Sequence, residues 1–196
     1  MLGHGDVRFF DAVAAGYDRV MPAATPEDLR AGLAFAHRPL ERVLDVGGGT
    51  GRAARALGGR GIDPIVVDLS VGMLARARNA GHPVVRADAG ALPIGDGTVD
   101  AVVVTDALHH FPAPELALAD CVHVLAHGGV LLVREFDPTT RRGRLLAATE
   151  HLVGMDSRFF ASEDLASVLE TLGLRSYVVH PGFGYTVVGV KPTDAA

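Results

Sequence analysis

The run Arg42-Val43-Leu44-Asp45-Val46-Gly47-Gly48-Gly49-Thr50-Gly51-Arg52 decides the fold. Val43, Leu44 and Val46 form a short apolar run with β-branched members, the composition of a strand buried in a parallel sheet. Four of the next five residues are glycine. Glycine accepts φ > 0 and lets another group approach the backbone closely. From Arg52 the chain turns helix-favouring, Arg52-Ala53-Ala54-Arg55-Ala56-Leu57. A strand, a loop without side chains and a helix N-terminus in that order make a crevice suited to a nucleotide, with the loop N–H groups expected to point into it.

Spacing narrows the ligand. A dinucleotide fingerprint places a third glycine or an alanine three residues after the second, and here Arg52 stands at that place, which weighs against a nicotinamide-dependent oxidoreductase. A glycine loop alone is equally a plain strand-to-helix turn. The pattern Asp45-x-Gly47-x-Gly49-x-Gly51 resembles the first motif of the class I S-adenosylmethionine (SAM) dependent methyltransferases, in which the acid begins the loop and the glycines hold the aminoacyl end of the cofactor.

The next strand, Pro64 to Ser70, ends in Asp68, about 20 residues past the loop, where a carboxylate can accept both ribose hydroxyls of an adenosine. An acid at a strand end can equally be a turn residue. Asp68-Leu69-Ser70-Val71-Gly72-Met73-Leu74 is similar to the family pattern Asp-x-Ser-x-x-Met-Leu, which implies a helix-capping serine and a methionine beside the adenine. A third strand, Pro83 to Asp88, leads into Asp88-Ala89-Gly90-Ala91-Leu92-Pro93, resembling the family's Asp-Ala-x-x-Leu-Pro, where the acid meets the adenine amine. A fourth, Gly97 to Thr105, runs into Asp106-Ala107-Leu108-His109-His110-Phe111. Ligands of open parallel sheets bind beyond the carboxyl ends of the strands, so these four tips should share one crevice.

Upstream, Phe9, Phe10, Val13, Ala14 and Tyr17 fall on one helical face, and a second helix should start near Pro26-Glu27-Asp28. Both precede the first strand and read as a cap over residues 1–40. Phe10-Asp11-x-x-Ala14-x-x-Tyr17-Asp18 resembles the opening of the ubiquinone and menaquinone C-methyltransferases, whose segment folds over the cofactor; an ordinary amphipathic helix has the same pattern.

Downstream, a helix is expected over Pro114–Ala126, stopped by Gly128-Gly129, with Leu116, Ala119, Val122 and Leu125 facing inward. His123 and His127 lie four apart, either as metal ligands on one helix face or as surface and helix-end residues. A fifth strand, Val130 to Phe136, opens into a 137–161 insertion containing Arg141, Arg142 and Arg144, placed over the site. After a helix at Glu163–Leu172, the runs Leu174–His180 and Tyr185–Val190 read as a hairpin.

The 196 residues suffice for one domain, taken as 1–192 with a 193–196 tail. A net charge of −5, with Lys191 the single lysine, leaves no basic face for nucleic acid. The lone Cys121 offers no disulfide framework, and neither a leader nor a membrane-spanning run is apparent, so a cytoplasmic protein is expected.

The expected architecture is α/β: a doubly wound, seven-stranded, mostly parallel sheet with an antiparallel C-terminal hairpin. The resemblance implies SAM as cofactor, held by Asp45, Gly47, Gly48, Gly49, Gly51, Asp68, Leu69, Met73, Asp88, Ala89 and Thr105, and implies no metal. On the acceptor side, His109 or His110 would remove a proton and Tyr17 would close over the methyl group, while one histidine packing in the loop and one facing solvent is the plainer alternative. Phe111, Phe136, Met155, Phe159 and Phe160 would line a pocket for a small apolar or aromatic, lipid-like acceptor, or are plain core. Quinone-like C-methylation is favoured. O- or N-methylation of another metabolite and a non-catalytic SAM-binding partner subunit remain open, as does the oligomeric state.

Overall fold

A computed structural model describes residues 7–14, 25–58, 62–152 and 154–193. The helices are α1 (Val7–Val13), α2 (Pro26–Leu33), α3 (Arg52–Leu57), α4 (Val71–Asn79), α5 (Pro114–Val124), α6 (Arg141–Leu152) and α7 (Ser162–Thr171). Seven strands are interspersed among them: β1 (Val43–Val46), β2 (Ile65–Asp68), β3 (Val84–Arg86), β4 (Val99–Thr105), β5 (Leu125–Phe136), β6 (Arg175–His180) and β7 (Gly184–Val190). They form one sheet in the order β3-β2-β1-β4-β5-β7-β6. β3 to β5 in that row are parallel, and β7 runs antiparallel to both β5 and β6. The expected doubly wound sheet and its closing hairpin are both present.

β4 shows why the sheet needs two helical layers. Val102 and Val104 join the core on one face with Leu118, Cys121, Leu165 and Leu169. Ala101 and Val103 join the opposite core with Leu29, Leu33, Ala53 and Leu57. Alternate side chains of a strand point to opposite faces, so a strand apolar throughout must be covered on both. Each fully buried valine contributes roughly 1.5–3 kcal/mol. α2 therefore packs beneath the sheet, against β5 and β7, and only α1 of the two leading helices reaches the crevice.

Asp100 interrupts the apolar run of β4 at 3% exposure. Its Oδ2 accepts the N–H groups of Glu41 (3.0 Å) and Arg42 (2.8 Å), and its Oδ1 pairs with Arg38 at 2.7 Å. A buried carboxylate so engaged pins the chain entering β1 against the start of β4.

α5 stops at Val124, two residues earlier than expected, and its inward face is rotated. Ala117, Leu118, Cys121 and Val122 are buried, whereas Leu116 is exposed. Leu125 takes an extended backbone and pairs with Val99; pairing then skips to Val130 opposite Ala101. The freed carbonyls of the last helical turn are met by the single lysine, whose Nζ donates to Val122 (2.9 Å) and Leu125 (2.7 Å). Gly128-Gly129 thus forms a strand irregularity and not a helix stop. A Cβ at Gly129 would lie 2.8 Å from both the Ala126 and the Asp100 carbonyl oxygens. Because those neighbours are backbone, Gly129→Ala should lower stability by about 1–3 kcal/mol, read as an earlier midpoint in urea unfolding; an unchanged midpoint would show that the irregularity yields freely.

Candidate active site

The glycine turn takes its shape from φ values of 67° at Gly47, 55° at Gly49 and 81° at Gly51. These are left-handed conformations in which a side chain is strained. The turn folds back on β2: Gly47 N–H and Gly48 N–H both donate to the Val67 carbonyl (2.8 and 3.2 Å), and Gly49 N–H donates to Asp68 Oδ2 (2.9 Å). The expectation that these N–H groups point into the crevice is therefore corrected. A sharp turn at the end of β1 aims them at the neighbouring strand, and what the loop offers a ligand is close approach. A Cβ at Gly47 would strike Ala107 at 2.7 Å and Phe111 at 2.8 Å.

Above the turn lies a crevice of about 1050 Å³, counted with its open mouth. Gly47, Gly48 and Gly49 form its base. Asp68, Leu69 and Met73 line one wall, Asp88 and Ala89 the next, and Thr105, Asp106 and Ala107 the third. Phe10, His110 and Phe111 complete the lining, Phe111 close beside Gly47. Ten of the residues singled out from sequence thus meet in one place, at the point where strand order reverses between β1 and β4.

Three do not reach it. Asp45 is wholly buried behind Gly48, its Oδ2 accepting the Ala54 N–H at 3.1 Å and its Oδ1 without a hydrogen-bond partner among the described residues. Gly51 serves the turn itself, donating to the Gly48 carbonyl at 2.8 Å and starting α3. His109 is buried at 2% exposure. Tyr17 lies outside the described residues. Of the five expected pocket apolars only Phe111 lines the crevice; Phe136 and Phe160 are buried in the protein, and Phe159 stacks on His109 with ring centres 4.5 Å apart.

Asp68 uses both oxygens on backbone, Oδ2 on Gly49 and Oδ1 on the Ser70 N–H at 2.8 Å. Each oxygen keeps a second lone pair for a ligand hydroxyl. Burial raises its pKa against these hydrogen bonds. Asp88 accepts the Gly90 N–H at 2.9 Å. Ser70 caps α4 by accepting the Met73 N–H at 3.1 Å. The same hydroxyl donates to Asp11 at 2.5 Å, and Asp11 also accepts the Gly72 N–H at 2.9 Å. That pair of bonds fastens α1 to the start of α4 and holds Phe10 over the crevice. The Asp11 carboxyl is correspondingly lowered below the usual range, with the Ser70 bond as the largest cause.

Two further charged residues stand on the wall: Asp106, at the fourth strand tip where the sequence placed it, and Arg52, which the sequence reading did not assign to the site. Arg52 occupies the place of the missing third glycine, and its Nη2 lies 3.8 Å from Asp106. Asp106 has φ 52°, rare for a residue with a side chain, and is also paired with Arg134. The signal for Arg52 was present: a charged side chain where the dinucleotide motif needs a small one.

His109 cannot act as a base. Its Nδ1 lies 2.6 Å from Glu135 and its Nε2 3.7 Å from Glu150. Burial disfavours the charged ring, yet the Glu135 charge and hydrogen bond, with those of Glu150, outweigh it and lift the pKa to about 10. The two flanking carboxylates thus favour the charged ring, which stands apart from the crevice wall. His123 pairs with Asp96 at 2.6 Å, and His127 sits in β5 with Nδ1 at 2.8 Å from the Pro192 carbonyl, so the two do not share a helix face.

Residues 44–133 match the family model described as a methyltransferase domain. Over that segment the chain is similar to the class I SAM-dependent methyltransferases. The demethylmenaquinone methyltransferase of Renibacterium salmoninarum is 36% identical over 117 residues, covering 59% of this chain and 49% of that protein. The chain spans about half the length of the curated relatives it matches first. In fold it is similar to a SAM-dependent methyltransferase of Thermotoga maritima (TM-score 0.75, 23% identity, covering 94% of this chain and 98% of the other). It is also similar to an O-methyltransferase from neocarzinostatin biosynthesis, solved with S-adenosylhomocysteine and 1,4-dihydroxy-2-naphthoic acid (TM-score 0.69, 22% identity, covering 95% and 60%). SAM is the cofactor of this family, and the crevice fits it: two carboxylates stand on adjacent strand tips, beside a turn whose close approach a Cβ would block. No helix among the described residues is long and apolar enough to cross a membrane.

Asp45 gives a pH signature. Burial is the largest cause raising its pKa from 3.8 to about 7, the Ala54 bond opposing and Asp68 adding to it. The folded state therefore holds this proton more tightly than the unfolded chain. Its stabilising contribution is complete below the unfolded value and declines as pH rises towards 7. Asp45→Asn should abolish that decline, the gap between wild type and variant changing by about 1–4 kcal/mol between pH 4 and 8 in urea unfolding. Parallel pH profiles would refute the assignment.

Proposed function

We propose that this chain is an active SAM-dependent methyltransferase that methylates a small aromatic acceptor, with C-methylation of a quinone-like ring the favoured reaction. The convergence of Asp68, Asp88 and the glycine turn on a crevice also lined by Phe10, His110 and Phe111 carries this reading. SAM would supply an electrophilic methyl group on a sulfonium for in-line displacement. Asp68 would accept the ribose hydroxyls and Asp88 the adenine amine, with Leu69, Met73 and Ala89 packing against the base. Arg52 and Asp106 stand with opposite charges beside the glycine turn, suited to the carboxylate and ammonium of the methionine end.

On the acceptor side, His110 alone of the two histidines reaches the crevice, and an imidazole can take a proton near neutral pH. Phe10 and Phe111 bring aromatic faces to the same end, where a flat ring would stack. The demethylmenaquinone methyltransferase relatives, 34–36% identical, support a quinone-like ring. O-methylation is the second reading, favoured by the neighbour bound to a dihydroxynaphthoic acid. Both need a ring hydroxyl deprotonated, and both gain chiefly from positioning.

Calorimetric titration should show SAM binding and no NAD binding. Asp68→Ala, checked for folding by circular dichroism, should weaken SAM at least about tenfold, or ~1.4 kcal/mol; unchanged affinity would remove Asp68 from the site. His110→Gln should leave SAM affinity intact and lower turnover about 10²–10⁴-fold, followed by mass spectrometry of naphthoquinols and lipid extracts incubated with methyl-labelled SAM. Label on carbon separates the first reading from label on oxygen.

A further inference from the structure

Beside the crevice lies a group of polar side chains of which methyl transfer uses only His110. His109, His110 and Glu150 bring one ligand atom each to within 4.8 Å of one another. His109 Nε2 and Glu150 Oε1 are 3.7 Å apart, close to the separation of two donors on one small cation. We propose that this cluster is a binding site for a divalent transition-metal ion, with the two imidazoles and the Glu150 carboxylate as ligands.

Four features support it. The other ring nitrogen of His109 is held by Glu135 at 2.6 Å, so Nε2 faces the cluster; metal-bound histidines are oriented in this way by a carboxylate behind them. Phe159 stacks on the His109 ring with 14° between planes, fixing its orientation. Glu150 Oε2 is buried with no hydrogen-bond partner among the described residues. Lastly, the Glu135 and Glu150 carboxylates flank the His109 ring on its two nitrogen sides, and a divalent ion at Nε2 would offset their charge. Two nitrogens and a carboxylate oxygen select zinc, cobalt or ferrous iron over magnesium or calcium.

The site joins parts distant in sequence: the turn after β4 supplies both histidines, β5 the orienting Glu135, and α6 the Glu150 ligand. α6 is otherwise lightly anchored, with Gly143 its buried residue and Leu145 and Leu152 exposed. An ion would clamp it to the body. His110 belongs to both sites, so the ion would stand at the acceptor end of the crevice. There it would lower the pKa of a bound hydroxyl and take over from the imidazole in activating the acceptor.

The test is Co²⁺ added to the chelator-treated full chain without SAM or acceptor, so its outcome is independent of methyl transfer. One equivalent should bind, giving visible d–d absorption and paramagnetic broadening of the His109 and His110 ring protons. Glu150→Gln and His110→Gln should each weaken binding more than about 10-fold, and Glu135→Gln about 10–100-fold. His123→Gln, at the exposed pair with Asp96, should have no effect. Circular dichroism checks the fold of each variant, and broadening in the wild-type protein decides the matter should the Glu135 variant not fold. Absence of binding, or binding abolished by His123→Gln and kept by Glu150→Gln, overturns the proposal.

Discussion

The hydrogen bonds from Gly47, Gly48 and Gly49 to the end of β2 are the constraint on which the rest of the crevice depends. They draw the turn after β1 sideways onto its parallel neighbour. The space above the sheet is left clear, and Asp68 is fixed at the rim of that space. Positive φ at Gly47 and Gly49 is the conformational requirement, and the contacts a Cβ would make with Ala107 and Phe111 show that the opposite wall stands close as well. Parallel strands end together, so their loops have no direction open to them except upward around one cleft.

Around this turn the protein places an unusual amount of buried charge. Asp45 lies beneath the loop with one oxygen unpartnered among the described residues, Asp106 is wedged between Arg52 and Arg134, and His109 is held between Glu135 and Glu150. Pairing outweighs the desolvation of His109, whereas burial still raises the carboxyl pKa of Asp106 and of Asp45. The apolar layers supply the stability that such a site needs, with β4 buried on both faces by two separate helical cores. Function is concentrated at the carboxyl ends of the strands, where the apolar pattern stops.

Much of this was legible in the residues. The apolar strands, the glycine turn and the acids at the strand tips follow short-range rules, and those rules located both the sheet and the crevice. The failures also have physical reasons. Gly128-Gly129 reads as a helix stop because glycine is the usual terminator, yet Lys191, far away in the chain, meets the last carbonyls and the glycines relieve a crowded strand. His109 and His110 are neighbours that pattern alone could not separate. One turns inward to Glu135 and the other out to the crevice wall, and only the packing of β5 and α6 around them decides which.

By itself, the sequence determined the class of fold, the order of its strands and helices, and the strand ends at which chemistry would gather, because period, turn residues and glycine conformation act within a few residues. Tertiary structure decided which of those residues share a wall, that Asp45 sits behind it, that Arg52 stands on it, and which histidine is held between two carboxylates. These outcomes depend on contacts between segments tens of residues apart, and on burial, which changes the protonation of a group without changing its identity.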